Sequence, residues 1–391
     1  MRVAYLAFFA VLLVFTGICW LLVGSFVVGD LPGGIRTLAA LWLASVAPAT
    51  LLFWNVITGG YPSSFVRCTL FRFFWYSQFL VVMLVPVVVP AFVVGVLFGS
   101  GAGFGRYAVL WGAPLLVVLG VWGYFGSRRL VVRRLEVRLP TLPAALDGLV
   151  IAQMTDHHVG PHTSRRHLAR VADAVRAAKP DIIAHTGDQV DDYPRDMEVF
   201  AEHLGGLTAP LGVFAIAGNH DVYAGWAKVR AGLERMGARV LVNAAERLTY
   251  RGTDFWLAGT GDPAGTAMAR FSRDGMSPAP DIAKTLSGVP AGAFHIVLAH
   301  NPLLWPALAK RGVPLTLSGH THWGQLAIPR LNWSLAGVFL RHAMGAYEEA
   351  GSLLYIGAGT NYWGIPFRIG APPEVVILTL RAAARPEIAA A

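Results

Sequence analysis

"LSGHTHWGQL", Leu317 to Leu326, closes an apolar run that starts at Val313 and sets His320 and His322 one residue apart, between Gly319 and Gly324. Two imidazoles at i and i+2 reach one neighbourhood only from an extended or tightly turned backbone, and the glycines permit a close approach. The same pattern recurs upstream. "LVIAQMT" (149–155) runs into "TDHH" (155–158), "DIIAHT" (181–186) into "TGDQVDD" (186–192), "GVFAIAG" (212–218) into "AGNHDVY" (217–223), and "FHIVLAH" (294–300) into "AHNP" (299–302). Ligands of α/β sheets gather at the carboxyl ends of strands, so five such clusters can share one sheet edge.

Between most of these runs lie helical patterns. Ser164 precedes a stretch whose apolar positions Leu168, Val171, Ala172 and Val175 follow i, i+3, i+4, i+7, which predicts a capped amphipathic helix. Strand-helix alternation predicts parallel pairing and an α/β domain of about 250 residues, the size of one large core. "RLEVRLP" (134–140) alternates like a half-buried strand. Strands near Val240, Leu248, Trp256, Leu354 and Val376 lie close enough in sequence to pair antiparallel, giving a mixed sheet or two sheets. The Ala-rich tail, 384–391, reads as frayed.

The first third is different. With 55% hydrophobic residues and a mean hydropathy of +0.52, the 391-residue chain is too apolar to be wholly soluble. Val3–Val28, Thr37–Ile57, Phe73–Phe98 and Tyr107–Phe125 are each at least 19 residues long, enough to span a bilayer. The first exceeds the apolar core of a signal peptide, about 7 to 15 residues, and lacks an A-x-A-like site, so it reads as a span. Pro86 and Pro90 are expected to kink the third. Residues 1–130 are thus expected to form a four-helix transmembrane region and 131–383 the α/β domain.

From Met1 to Leu135 nine arginines face a single acidic residue, Asp30, so this segment carries +8 of the formal +9. The high pI therefore marks membrane flanks, and no nucleic-acid partner is expected. With a cytoplasmic N-terminus, only Arg36 and Arg106 face outward, which places both ends and the α/β domain on the cytoplasmic side of a multi-pass cell-membrane protein. No ionisable residue lies inside an apolar run, which argues against a transporter. Cys19 and Cys68 sit in or beside the spans and make neither a disulfide framework nor a thiolate metal site.

All twelve histidines fall between His157 and His342. Singly, each cluster has a packing explanation: Asp156 as a helix cap, Asp188 and Asp191 as turn residues, His300 as a strand-end histidine. His157, His162, His167, His185, His203, His295 and His342 are read that way. Jointly the five clusters offer Asp, Asn and His ligands suited to two divalent ions of Mn²⁺, Fe or Zn²⁺ type.

D-x-H at Asp156 and His158, G-D-x-x-D from Gly187 to Asp191, G-N-H-D from Gly218 to Asp221, His300, and G-H-T-H from Gly319 to His322 resemble the calcineurin-like metallophosphoesterase superfamily in order and spacing. The resemblance runs from about Arg134 to Leu380. Its last part, "LYIGAGTNYWGIPFRIGAPPEVVILTL" (354–380), is similar to a bacterial membrane-attached branch linked to lipid or cell-envelope phosphoesters. His157, Trp323 and "GTNYWG" (359–364) depart from that branch's pattern. The fold implied is a four-layer αββα sandwich. By resemblance, Asp156, His158 and His322 hold one metal, Asn219, His300 and His320 the other, and Asp188 bridges both. His220 is by the same resemblance the catalytic histidine. Asp191 and Asp221 are candidates to orient imidazole N–H groups, and Arg368 is a candidate for a substrate phosphate beside the commoner reading of a surface charge.

The implied activity is hydrolysis of a phosphodiester or pyrophosphate, of a lipid or lipid-linked substrate given the four spans, with a metal-bridging hydroxide as the attacking group. Membrane lipids are the expected partners, and the basic flank Arg128 to Arg138 suits anionic headgroups. A membrane-embedded sensor or scaffold that binds a phosphorylated ligand without turnover is the alternative, although it has little need for His220.

Overall fold

The computed structural model describes residues 2–58, 60–269 and 277–391. The chain divides into two compact units, the second running Tyr124–Ala391.

In the first unit, helices α1 (Arg2–Val28), α2 (Gly34–Val46), α3 (Ala49–Thr58), α4 (Ser64–Cys68), α5 (Leu70–Leu97) and α6 (Gly101–Gly126) make four stretches long and apolar enough to cross a membrane. Arg36, Arg72 and Arg106 occupy the first two turns of α2, α5 and α6, so the charges sit at helix ends. Expected as one span, Thr37–Ile57 is divided between α2 and α3 around Pro48, which has no amide hydrogen to give the helix ladder. Pro86 and Pro90 lie inside α5, which stays continuous through 28 residues. Among the described residues, Gln78 Nε2 of α5 donates to Ser45 Oγ of α2 at 3.1 Å.

The second unit is built on two mixed sheets. Its strands are β1 (Val131–Leu139), β2 (Val150–Met154), β3 (Ile182–His185), β4 (Gly212–Ala215), β5 (Arg239–Val240), β6 (Ala244–Tyr250), β7 (Thr253–Gly259), β8 (His295–Leu298), β9 (Leu315–Ser318), β10 (Ala327–Ile328), β11 (Trp333–Ser334), β12 (Gly345–Glu349), β13 (Ser352–Ile356), β14 (Glu374–Ala382) and β15 (Glu387–Ala390). One sheet has the order β15-β1-β14-β2-β3-β4-β5, the other β12-β13-β9-β8-β7-β6, and β10-β11 form a separate hairpin. Strands β2 to β5 are mutually parallel, as are β7, β8, β9 and β13. The antiparallel pairs expected in the strand-rich part are β6-β7, β12-β13 and β14-β2.

Alternation puts one face of each sheet into a shared core, where Ile151, Ile182 and Phe214 meet Leu257, Ile296 and Leu315. The outer face of the first sheet is covered by α7 (Arg165–Ala178), α8 (Met197–Leu204) and α9 (Asn219–Arg235), through a core that includes Leu168, Val171, Phe200 and Leu233. Helix α10 (Pro263–Met268) follows β7; α11 (Ile282–Ser287) and α12 (Trp305–Ala309) flank Ala258, Val297 and Leu308 on the outside of the second sheet. These four layers are the αββα sandwich. In α7 all four expected apolar positions are buried, but Ser164 makes no side-chain cap bond.

The tail is not frayed. β15 pairs antiparallel with β1 from Leu135↔Ala390 to Arg138↔Glu387, and Ile388 packs against the inter-sheet core. Backbone pairing on an open edge needs little side-chain signal, which is why alanines suffice there.

Candidate metal centre

Every expected ligand lies just beyond the carboxyl end of a parallel strand. Asp156 and His158 follow β2, Asp188 follows β3, Asn219 opens α9 after β4, and His300, His320 and His322 follow β8 and β9. The two sheets meet here: Gln153 Nε2 donates to Ser318 O at 2.9 Å and the Asp156 carboxylate accepts the His320 amide at 3.0 Å. Five of the seven residues adopt left-handed backbone, with φ of 53° at Asp156, 41° at His158, 55° at Asp188, 72° at His320 and 50° at His322. Each such non-glycine residue costs on the order of 1–3 kcal/mol and persists only where neighbours over-determine it. Here they do. Amides of Asp156 and His157 donate to Gly187 O and Asp188 O at 3.0 and 2.8 Å, and Asp221 takes the amides of Asp188, Gln189 and Gly218, each at 2.9 Å. A methyl group added at Gly319 would overlap Thr155 Oγ1 and the Asp156 carboxylate, so only glycine lets this turn close.

Two donor sets converge around one carboxylate. On one side His322 Nε2 lies 3.2 Å from Asp156 Oδ1 and 2.9 Å from His158 Nε2. On the other, Asn219 Oδ1 lies 2.8 Å from His320 Nδ1 and 3.2 Å from His300 Nε2. Asp188 Oδ2 stands between them, 3.5 Å from His158 Nε2 and 3.2 Å from His300 Nε2. Asp156, His158 and His322, and likewise Asp156, Asp188 and His300, present ligand atoms all within 4.8 Å of one another. Buried carboxylates and imidazoles whose nitrogens point at each other suit cations, with hard-to-borderline donors and no thiolate.

The electrostatics agree. Burial alone would raise the Asp188 carboxyl and lower the His300 imidazole, but their mutual attraction wins, holding Asp188 well below and His300 well above its ordinary value. His322 is held well below by burial and then by the Arg368 charge, and His320 is lowered to about 4 by burial and then by His300. Both are therefore neutral at pH 7, as metal-ligating imidazoles must be. His220 runs the other way: burial opposes its charge, yet Asp188 and Asp191 raise it.

The surrounding groups fix the rings. Thr186 O accepts from His300 Nδ1 at 2.8 Å, a buttress the sequence did not disclose because it uses a backbone carbonyl. Asp191 serves two histidines: its carboxylate lies 3.3 Å from His158 Nδ1 and its carbonyl accepts from His220 Nδ1 at 2.8 Å. Asp221, expected to orient an imidazole, instead binds the amides of the two loops, and burial followed by Asp188 pushes it up to about 7. A sixth strand-end cluster, "GTGDP" after β7, was missed. It supplies buried Asp262, raised to about 6 by burial and close enough to feel His300, Asp188 and His220. Reading the run before it, "FWLAG", by the same strand-end rule would have found it.

Arg368 is corrected. It is 1% exposed, and its guanidinium donates to Ala358 O at 2.6 Å, to His322 O and Ala371 O at 3.2 Å, to Asn361 O, and to His322 Nδ1 at 2.8 Å. It staples the 357–371 loop to the His322 turn and is not presented to a substrate. Trp323 is buried too, with Nε1 donating to Ile356 O at 2.8 Å, so it covers the end of the second sheet. His157 and His185 lie side by side in the core with Nε2 and Nδ1 3.1 Å apart, in keeping with a packing role. The aromatics beside His220 are Tyr223 and Trp363, with ring centroids 5.6 and 5.9 Å away and about half of each side chain exposed.

A family model described as calcineurin-like phosphoesterase matches residues 149–324, the segment that carries all seven ligand candidates. The chain is 32% identical over 278 residues to a transmembrane protein with metallophosphoesterase domain from Danio rerio, covering 69% of this chain and 62% of that one. A Caenorhabditis elegans metallophosphoesterase is 31% identical over 263 residues, and the chain spans 52% of it. An uncharacterized metallophosphoesterase of Aquifex aeolicus is 30% identical over 268 residues, 98% of its length and 68% of this chain. With its αββα sandwich and this strand-end ligand set, the chain belongs to the calcineurin-like metallophosphoesterases.

Proposed function

We propose that the protein is a membrane-anchored, binuclear-metal phosphoesterase that hydrolyses a phosphodiester or pyrophosphate bond of a lipid or lipid-linked substrate at the cytoplasmic face. The observation that carries this reading is Asp188 Oδ2 standing 3.5 Å from His158 and 3.2 Å from His300, with a separate donor set on each side. Asp156, His158 and His322 would hold one ion, Asn219, His300 and His320 the other, and Asp188 both. Two divalent ions, when bound, lower the pKa of water, neutralise phosphoryl oxygens and fix the line of attack.

The chain's own contribution beyond the ligands centres on His220. Its Nδ1–H is committed to Asp191 O, and although burial opposes its charge, Asp188 and Asp191 raise its pKa and so favour the protonated form. It is thus placed to donate a proton to a leaving oxygen. Support for a lipid-linked substrate is the presence of four membrane-length stretches and the half-exposed Tyr223 and Trp363 beside His220.

The test is turnover of bis(p-nitrophenyl) phosphate by the full chain with Mn²⁺, beside Asp188→Asn and His220→Ala. His220→Ala should lose about 10²- to 10⁴-fold in rate with its metal content retained. Asp188→Asn should lose both activity and metal. Equal rates in all three proteins would refute the assignment. Lipid profiling of a deletion strain against wild type then names the substrate by what accumulates.

A further inference from the structure

Between the His322 turn and β12 the chain builds a lobe, residues 326–342, that the phosphoesterase reading leaves unused. Ile328, Leu331, Trp333, Val338, Phe339 and Leu340 are all exposed on it, Leu331 by 72% and Phe339 by 81%. An exposed apolar cluster of this size on a water-facing domain marks an interaction site. It is also rigid. β10 and β11 pair as Ala327↔Ser334 and Ile328↔Trp333, Asn332 closes the hairpin in the left-handed region at φ 48°, and the amides of Phe339 and Leu340 bond Ala336 O at 3.0 and 2.9 Å. Both ends are tied to the loops of the metal centre. Thr321 Oγ1 donates to Ala343 O at 2.7 Å, Ala327 N to Ile369 O at 2.9 Å, and Gln325 Nε2 to Trp363 O at 3.0 Å.

We infer that this lobe docks into an anionic lipid surface. Three observations select lipid over a protein partner. The first is charge: from Ile282 to Tyr347 the sequence has no Asp or Glu, and exposed Arg330 and Arg341 flank the apolar tip, Arg341 with an exposed guanidinium 4.0 Å from Glu349 beyond the lobe. Basic residues near anionic headgroups contribute on the order of 1 kcal/mol each, and long arginine stems let the charge stay in water while the apolar residues enter the interface. The second is composition, since Trp beside Leu, Ile and Phe with flanking Arg is the pattern of interfacial segments, which bury their apolar face by about 5–10 Å. The third is the tether: only Ser127 to Leu130 separate α6 from β1, and four residues span roughly 15 Å at most, so the domain stays beside whatever bilayer the helices enter. Docking of a lobe hydrogen-bonded to the Trp363 and His322 loops sets the metal centre at the headgroup layer.

The test uses the full chain in nanodiscs of mixed phosphatidylethanolamine and phosphatidylglycerol. Cys19 and Cys68 are first replaced by Ala, and a polarity-sensitive fluorophore is attached through Phe339→Cys or, as a control on exposed α9, Glu234→Cys. With lipids brominated in the acyl chain, the label at 339 should shift to the blue and lose roughly half or more of its emission, and the label at 234 neither. Arg330→Gln with Arg341→Gln should reduce the quenching that phosphatidylglycerol adds. A blue shift at 339 without bromine quenching would place the tip against protein, a second copy included, and overturn the inference. An unshifted label would overturn it as well. Thermal midpoints and metal content check folding, and the quenching is read without substrate, so a failure of the hydrolytic assignment leaves this result standing.

Discussion

Replacing Arg368 with Met would remove a buried guanidinium that serves four carbonyls and the Nδ1 of His322. Leaving those carbonyls unpaired costs about 1–3 kcal/mol each before relaxation, so the variant should lose several kcal/mol of stability, read as a drop in thermal midpoint. A substrate contact would behave otherwise, raising KM while the midpoint held. His300 supports a second expectation. Without a cation its imidazole is protonated against Asp188 and titrates well above 6.5, whereas His320 and His322 are held low. A metal taking the place of that proton must expel it, so apparent affinity should rise with pH by about one log unit per unit until the raised pKa is passed. Calorimetric titration with Mn²⁺ in buffers of different ionisation enthalpy should show proton release near pH 7, and His300→Gln should reduce that release.

At the scale of elements, legibility tracked whether the signal was carried by side chains. Apolar runs gave the strands of both sheets, and five clusters beyond them gave the residues of the candidate site, because parallel strands bring their carboxyl ends to one edge by topology alone. Arg368 was misread because an arginine in a loop carries no mark of burial; its partners are backbone carbonyls supplied by distant segments. Thr186 was invisible for the same reason. The break at Pro48 is marked in the sequence by the missing amide hydrogen, a local signal that hydropathy does not register. The tail failed differently, since β15 is held by main-chain pairing to β1 and only Ile388 reaches the core. Deleting residues 384–391 should therefore expose the β1 edge and destabilise the domain by about 1–3 kcal/mol, seen as a lower thermal midpoint with metal content unchanged. A frayed tail would be removed at no cost.

Across the whole molecule, charge is divided as sharply as hydropathy: nine arginines of the first 135 residues against one carboxylate, and near balance beyond. Orientation by positive flanks then makes a prediction that the chain's own cysteines can read. With the N-terminus inside, four crossings put Arg67 and Arg72 on the cytoplasmic side, and Cys68, at the end of α4 and partly exposed, lies between them. Cys19 is buried within α1 and silent to a water-borne reagent. A membrane-impermeant maleimide applied to intact cells should thus leave the wild-type chain unlabelled, yet label Cys68 in inside-out vesicles. Ser100→Cys, between α5 and α6 and near outward-facing Arg106, should react in intact cells. Labelling of Cys68 from outside would reverse the orientation. It would also move the phosphoesterase domain, joined to α6 by four residues, to the outer face.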